Sequence, residues 1–240
     1  MAVLLLRLAG PMQSWGTQSR FSVRDTGREP SKSGVVGLLC AAMGVPRDDE
    51  DSIARIAAMR MGVRVDHEGT VASDFHTAGG GTVPGRKKYG VFKASGASPS
   101  TVTSTRYYLA DAVFLVGLES DDRKFLEQLD SALADPCWPL FLGRKSFVPA
   151  PPLRLGVHDQ GLEELLRSWP WRPLVRSRPE PPDHGLRMML DSDDPTDLAR
   201  YDFPVSFRKD ARRFELRYVT ISRVSPREIT KEGAPCTYPD

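Results

Sequence analysis

The chain has 240 residues, 40% of them apolar and 27% charged, which is ordinary for a soluble globular protein and enough to bury a core in one large domain or two small ones. Its formal net charge is only +2, so affinity for nucleic acid must rest on where the cations gather rather than on their total. Cys40, Cys137 and Cys236 are widely spaced with no C-x-x-C, which argues against a disulfide frame or a zinc site and fits a reducing cytoplasm, and no segment is long enough to span a membrane.

In chain order, LLLRLAGPMQSWG opens with a strand that sets Leu4, Leu6 and Leu8 on a core and Val3, Leu5 and Arg7 on the opposite face. Arg7 interrupts the apolar run and no basic leader precedes it, so it reads as a strand and not as a signal peptide. Gly10-Pro11 must stop it, because Pro lacks the N–H a ladder needs. The following loop offers Gln13, Ser14 and the flat ring of Trp15, then Arg20, Arg24, Arg28 and Lys32, groups that hold phosphates and stack bases. Ser31 or Ser33 is expected to cap a helix whose first turn would present N–H groups to an anion, with Gly44 as its stop.

A second short helix is expected over residues 48–59, then strands over 61–66 and 71–75. From 77 to 105 the chain becomes rich in Gly, Ser and Thr around Arg86, Lys87 and Lys88, and reads as a protruding basic hairpin or arm that orders on a partner. Residues 106–109 and 112–118 form one long strand or two joined ones, and 121–134 an amphipathic helix. The order strand, helix, strand, strand, helix is most of a ferredoxin-like, RRM-like βαββαβ unit of α+β class. The basic turn Leu142-Gly143-Arg144-Lys145-Ser146 sits where the chain must re-enter the sheet. Pro149, Pro151 and Pro152 mark a boundary, dividing a domain over 1–150 from a β-rich C-terminal extension over 151–240. That extension holds a short helix at 162–169 and strands at 186–190 and 213–224.

Motifs for enzyme chemistry are weak. Gly80 to Lys87 mimics a phosphate loop but has Arg86 where Lys belongs, Lys87 in place of the Mg²⁺-binding hydroxyl, and no helix after it. His76, beside the Gly-rich arm, is the one histidine considered as a general base for metal-free RNA cleavage, with Tyr89 and Lys87 or Lys88 as an acid and a charge stabiliser. A lone His at a strand end is more often structural. No metal site and no cofactor are expected. The RNP1 spacing is missing after Arg106-Tyr107-Tyr108, so RNA would be gripped through loops and not laid across the sheet.

Four segments together resemble the CasD subunit family of the type I-E CRISPR surveillance complex Cascade, within the RAMP superfamily: LLLRLAGPMQSWG, the R-x-x-P-S-K-S-G-V-V-G-L-L run from Arg28, Arg106 to Asp111, and Leu142 to Ser146. The resemblance implies a non-catalytic RNA-binding subunit in antiviral defence that grips and caps the repeat-derived 5′ handle of the guide RNA, with residues 77–105 as a thumb. It also implies contacts with an adjacent backbone subunit and with the large PAM-reading subunit, and only indirect contact with target DNA. The handle would be held by Gln13, Trp15, Arg24, Arg28, Lys32 and Ser33, with Arg106, Tyr108, Arg144 and Lys145 nearby and Arg86, Lys87 and Lys88 on the thumb. A related subfamily cuts its repeat RNA, which makes a metal-independent endoribonuclease the alternative.

Overall fold

The computed structural model describes residues 1–17, 22–79, 90, 101–171, 182–225 and 228–229. Strand β1 (Ala2–Ala9) lies inside a large sheet, flanked by β7 (Val113–Ser120) and β8 (Arg154–His158). With β4 (Arg60–His67) the order is β4-β7-β1-β8, every neighbouring pair antiparallel. Beyond β4 the same sheet continues through β9 (Leu186–Ser192), β11 (Arg213–Val224) and β10 (Leu198–Ser206), so the C-terminal strands join by edge pairing. The re-entering strand, β8, starts at Arg154, after the prolines and past the boundary expected at 150. Strand β10 was not expected, because the residues it turns inward include Arg200 and Asp202.

Alternation along β1 buries both faces. Leu4, Leu6 and Leu8 pack under α1 (Lys32–Met43), α2 (Glu50–Ala57) and α3 (Arg123–Ala134), whereas Val3 and Leu5 join the leucines of α4 (Leu162–Ser168) in a second cluster. The face of Val3 and Leu5, opposite that core, is covered by α4 and buried as well. Gly62 and Gly117, partners across β4 and β7, let α4 sit close, since a Cβ on either would lie 2.6 Å from Leu166 or 2.4 Å from Leu162. Arg64, fully buried on this face, donates to the Leu166 and Trp169 carbonyls at the end of α4, both at 2.7 Å, and forks onto Asp66.

Residues 106–118 are not one strand. At Asp111 (φ 56°) the chain leaves β6 (Val102–Ala110), which belongs to a second sheet, and enters β7 in the first. In that smaller sheet β5 (Thr70–Ala78) pairs with β6 along its whole length, from Thr70↔Ala110 to Ala78↔Val102. The other edge of β6 is shared by β2 (Met12–Gln13) and β3 (Val23–Arg24), opposite its end and its middle. The arm expected over 77–105 therefore begins as a paired stem, and all of residues 80–100 but Gly90 lie outside the described residues.

Candidate nucleic-acid interface

The GPMQSWG segment is an internal spine. Gln13 is fully buried: its Nε2 donates to the carbonyls of Leu8 (3.2 Å) and Ala112 (2.7 Å), and its Oε1 accepts from the Trp15 indole at 3.2 Å. Trp15, 2% exposed, lies under the first turn of α1, where a Cβ at Gly34 would come within 2.8 Å of its ring. The backbone of the same residues ties two loops together. Ser14 N–H donates to Leu142 O at 3.1 Å, and Gly27 N–H donates to Trp15 O at 3.0 Å. Gly143 (φ 89°) packs so tightly on Ser14 that a Cβ there would sit 1.8 Å from the Ser14 carbonyl oxygen. Two motifs far apart in sequence thus meet. Gln13 and Trp15, expected to touch RNA, have their polar groups committed to this scaffold.

Lys32 is also inward. Its side chain, 5% exposed, reaches Asp191 Oδ2 at 2.6 Å, while its backbone N–H donates to Asp202 Oδ2 at 2.8 Å. Arg217 completes the network by pairing with Asp191 and forking onto Asp202 at 2.6 and 3.0 Å. Burial holds the Lys32 ammonium below its ordinary value, even though Asp191 pulls the other way. The anion expected at the start of α1 is therefore one of the protein's own carboxylates. Ser31 is the N-cap, accepting from Gly34 N–H, and Ser33 is half-buried with its hydroxyl 3.4 Å from that of Ser31. No local pattern could have revealed these partners, which stand 159 and 170 residues away along the chain.

The cations that do share a face surround the stem. Register pairs Arg24 of β3 with Arg106 of β6, and Arg106 with Asp74 of β5, so the three side chains project together. The turn carrying Arg144 packs against this face: Arg144 Nη2 donates to Tyr107 O at 2.7 Å, and its guanidinium lies 5.3 Å from the centre of the Phe147 ring. Its Nη1 is buried without a hydrogen-bond partner among the described residues, 3.7 Å from Asp74. Burial lowers the Arg144 pKa, Asp74 raises it and Arg106 lowers it, so the two guanidinium groups feel one another. Tyr108 packs on Phe147 at 5.9 Å and is half-buried, while Arg24 and Lys145 are exposed. Arg28, also exposed, lies across the spine on a separate cleft with Glu29, Arg187 and Arg200. Arg86, Lys87 and Lys88 fall outside the described residues, as does Tyr89. His76 is exposed on β5 opposite Ser104. The opposite face of the stem bares Val23, Val71, Phe75 and Tyr107.

A family model described as CRISPR-associated protein (Cas_Cas5) matches residues 3–220. The chain belongs to the CRISPR-associated Cas5 family. The Cascade subunit CasD of Escherichia coli K12 is 36% identical to this Cas5-family chain over 165 residues, covering 64% of it and 70% of the relative. A solved structure described as a Cas protein superposes with TM-score 0.72 at 38% identity, covering 97% of this chain and 100% of that one. A chain in a structure of a CRISPR RNA-guided surveillance complex gives TM-score 0.75 at 34% identity, covering 98% and 95%. The family read from the four sequence motifs is thus the family matched. Among the described residues of this Cas5-family chain, no helix is long and apolar enough to cross a membrane.

Proposed function

We propose that this chain is a non-catalytic subunit of a CRISPR RNA-guided surveillance complex, where it grips and caps the 5′ handle of the guide RNA beside an adjacent backbone subunit and the large PAM-reading subunit. The observation that carries this reading is the register pairing of Arg24 with Arg106 beside Arg144 and Lys145, in a chain 36% identical to a Cascade subunit. Side chains of this kind, on short strands and a tight turn, suit phosphate contacts that fix the path of a strand. The order β4-β7-β1-β8 with α1 and α3 is read as a ferredoxin-like βαββαβ unit whose last strand comes from beyond residue 150, and the β5–β6 stem as the base of the thumb. Strands β9–β11 are the C-terminal extension, lengthening its sheet.

The test is binding of handle RNA by the triple variant Arg24→Ala, Arg106→Ala, Lys145→Ala. Each lost phosphate contact on a single strand lowers the slope of log K against log salt by about 0.7, so the slope should fall by roughly 2, with affinity down about 10-fold or more at low salt. Unchanged affinity and slope would remove the hairpin face as the grip. Incubation with repeat RNA in EDTA should leave the RNA intact; a discrete product that disappears in His76→Ala would instead establish the endoribonuclease alternative.

A further inference from the structure

Strand β6 is paired on both sides, by β5 on one and by β2 and β3 on the other, but β5 pairs with β6 alone among the described residues. Its outer edge runs nine residues, Thr70–Ala78, and the strand keeps register with β6 from end to end without a bulge. Nothing in TVASDFHTA blunts that edge: the strand has no Pro, no Lys and one carboxylate. The rims of the larger sheet differ, since β10 breaks register twice and β8 is five residues long and pairs with a shift. A long, regular edge of open N–H and C=O groups is a template for another strand.

The stem is also two-faced. Alternation puts Arg24, Asp74, His76 and Arg106 on one side. On the other stand Val23, Val71, Ser73, Phe75, Thr105 and Tyr107, with no charge among them, and Phe75 is 72% exposed. A strand added at β5 must match that division, with uncharged side chains on one face and opposite charges across the other.

Strand β5 itself meets the condition. A two-fold axis normal to the sheet pairs it antiparallel with its own copy, and keeping each face continuous places the axis between two copies of one residue. Centred on Asp74, the axis would oppose two carboxylates. Centred on Phe75, it opposes Asp74 with His76, Ser73 with Thr77 and Ala72 with Ala78 on both sides, and Phe75 with Phe75. Acid meets base, hydroxyl meets hydroxyl and ring meets ring, and cross-strand pairs of these kinds favour association.

We propose that the β5 edge is a self-association site, at which two copies of this chain join β5 to β5, antiparallel about Phe75, into one continuous sheet. The contact needs no RNA and does not rest on the RNA-binding reading above.

Sedimentation velocity of the RNA-free full chain, over about a hundredfold range of concentration, should show the 26.6 kDa monomer giving way to a dimer. Phe75→Asp, a change at an exposed position, puts two carboxylates beside the axis and should weaken the dimer about tenfold or more. Asp74→His and His76→Asp each oppose like residues on both sides of the axis, and each should associate about fivefold more weakly than wild type. An equimolar mixture of those two variants again sets acid opposite base and should recover wild-type association. Hydrogen exchange on the wild-type chain needs no variant: amides of residues 70–78 should exchange more slowly as concentration rises, while those of β10 do not change. A chain monomeric throughout, a dimer indifferent to Phe75→Asp, a mixture no stronger than its parts, or β5 amides whose protection ignores concentration would each overturn the assignment.

Discussion

Lys32 stands at the start of α1 with its ammonium buried, and its neighbours determine what that does. Desolvation outweighs Asp191 and holds the group below its ordinary value of 10.5. In the window just below 10.5 the unfolded chain then binds more protons than the folded one, so stability rises with pH there. Lys32→Met should cost roughly 3–5 kcal/mol at pH 7, because it leaves Arg217 as the one cation shared by the buried Asp191 and Asp202. Urea midpoints should shift in favour of wild type over Lys32→Met as pH climbs toward 10.5, and handle-RNA affinity should be equal in the two. Cys40 offers a second check. Burial, with Asp49 adding to it, pushes its thiol up to about 12, whereas Cys137 is exposed. Brief maleimide treatment at pH 8 followed by peptide mapping should label Cys137 and leave Cys40 unmodified until the protein is unfolded.

At the scale of elements, α2 and α3 begin at aspartates that accept from the backbone three residues on. The Ser52 N–H holds the Asp49 carboxyl, and the Phe125 N–H with Arg55 holds that of Asp122, below the usual 3.8. Such groups stabilise the fold above 3.8 and lose that contribution as pH falls through the lower folded value. Asp49→Ala and Asp122→Ala should be less stable than wild type at pH 7, with the gap in urea midpoint narrowing as pH falls below 3.8. The turn at Gly143 is less forgiving, since positive φ and the Ser14 carbonyl both exclude a side chain. Gly143→Ala should cost roughly 2–3 kcal/mol by urea denaturation and disturb the proposed RNA grip through Arg144. Elements of this kind were legible in the sequence because their signals are local: Ser31 and Gly44 bracket α1, Asp122 opens α3, and alternation marks β1 and β11. Side-chain roles were less so. Gln13, Trp15 and Lys32 have the chemistry of RNA contacts, but Leu8, Ala112, Asp191 and Asp202 claim them, and those partners are set by topology. Strand β10 carries no apolar alternation to mark it, because its inward residues include Arg200 and Asp202, which are matched by Glu29 and Arg217 on other segments.

Across the whole molecule, the network of Lys32, Asp191, Asp202 and Arg217 fastens the start of α1 to β9, β10 and β11. Arg217→Met would leave Asp202 facing only the Lys32 N–H, and should cost roughly 3–5 kcal/mol; adding Asp202→Asn should recover part of the loss. A single coincident transition by far-ultraviolet dichroism and tryptophan fluorescence should persist in wild type, because β9 pairs directly with β4 and leaves no seam for separate melting. Among the described residues the large sheet has one long outer rim, at β10, where the ladder shifts between Arg200 and Phe203 and again between Pro204 and Ser206. A proline there withholds a donor, and each irregularity twists the rim away from a flat template. A second copy meeting this rim is therefore offered no flat ladder to extend by edge-to-edge pairing.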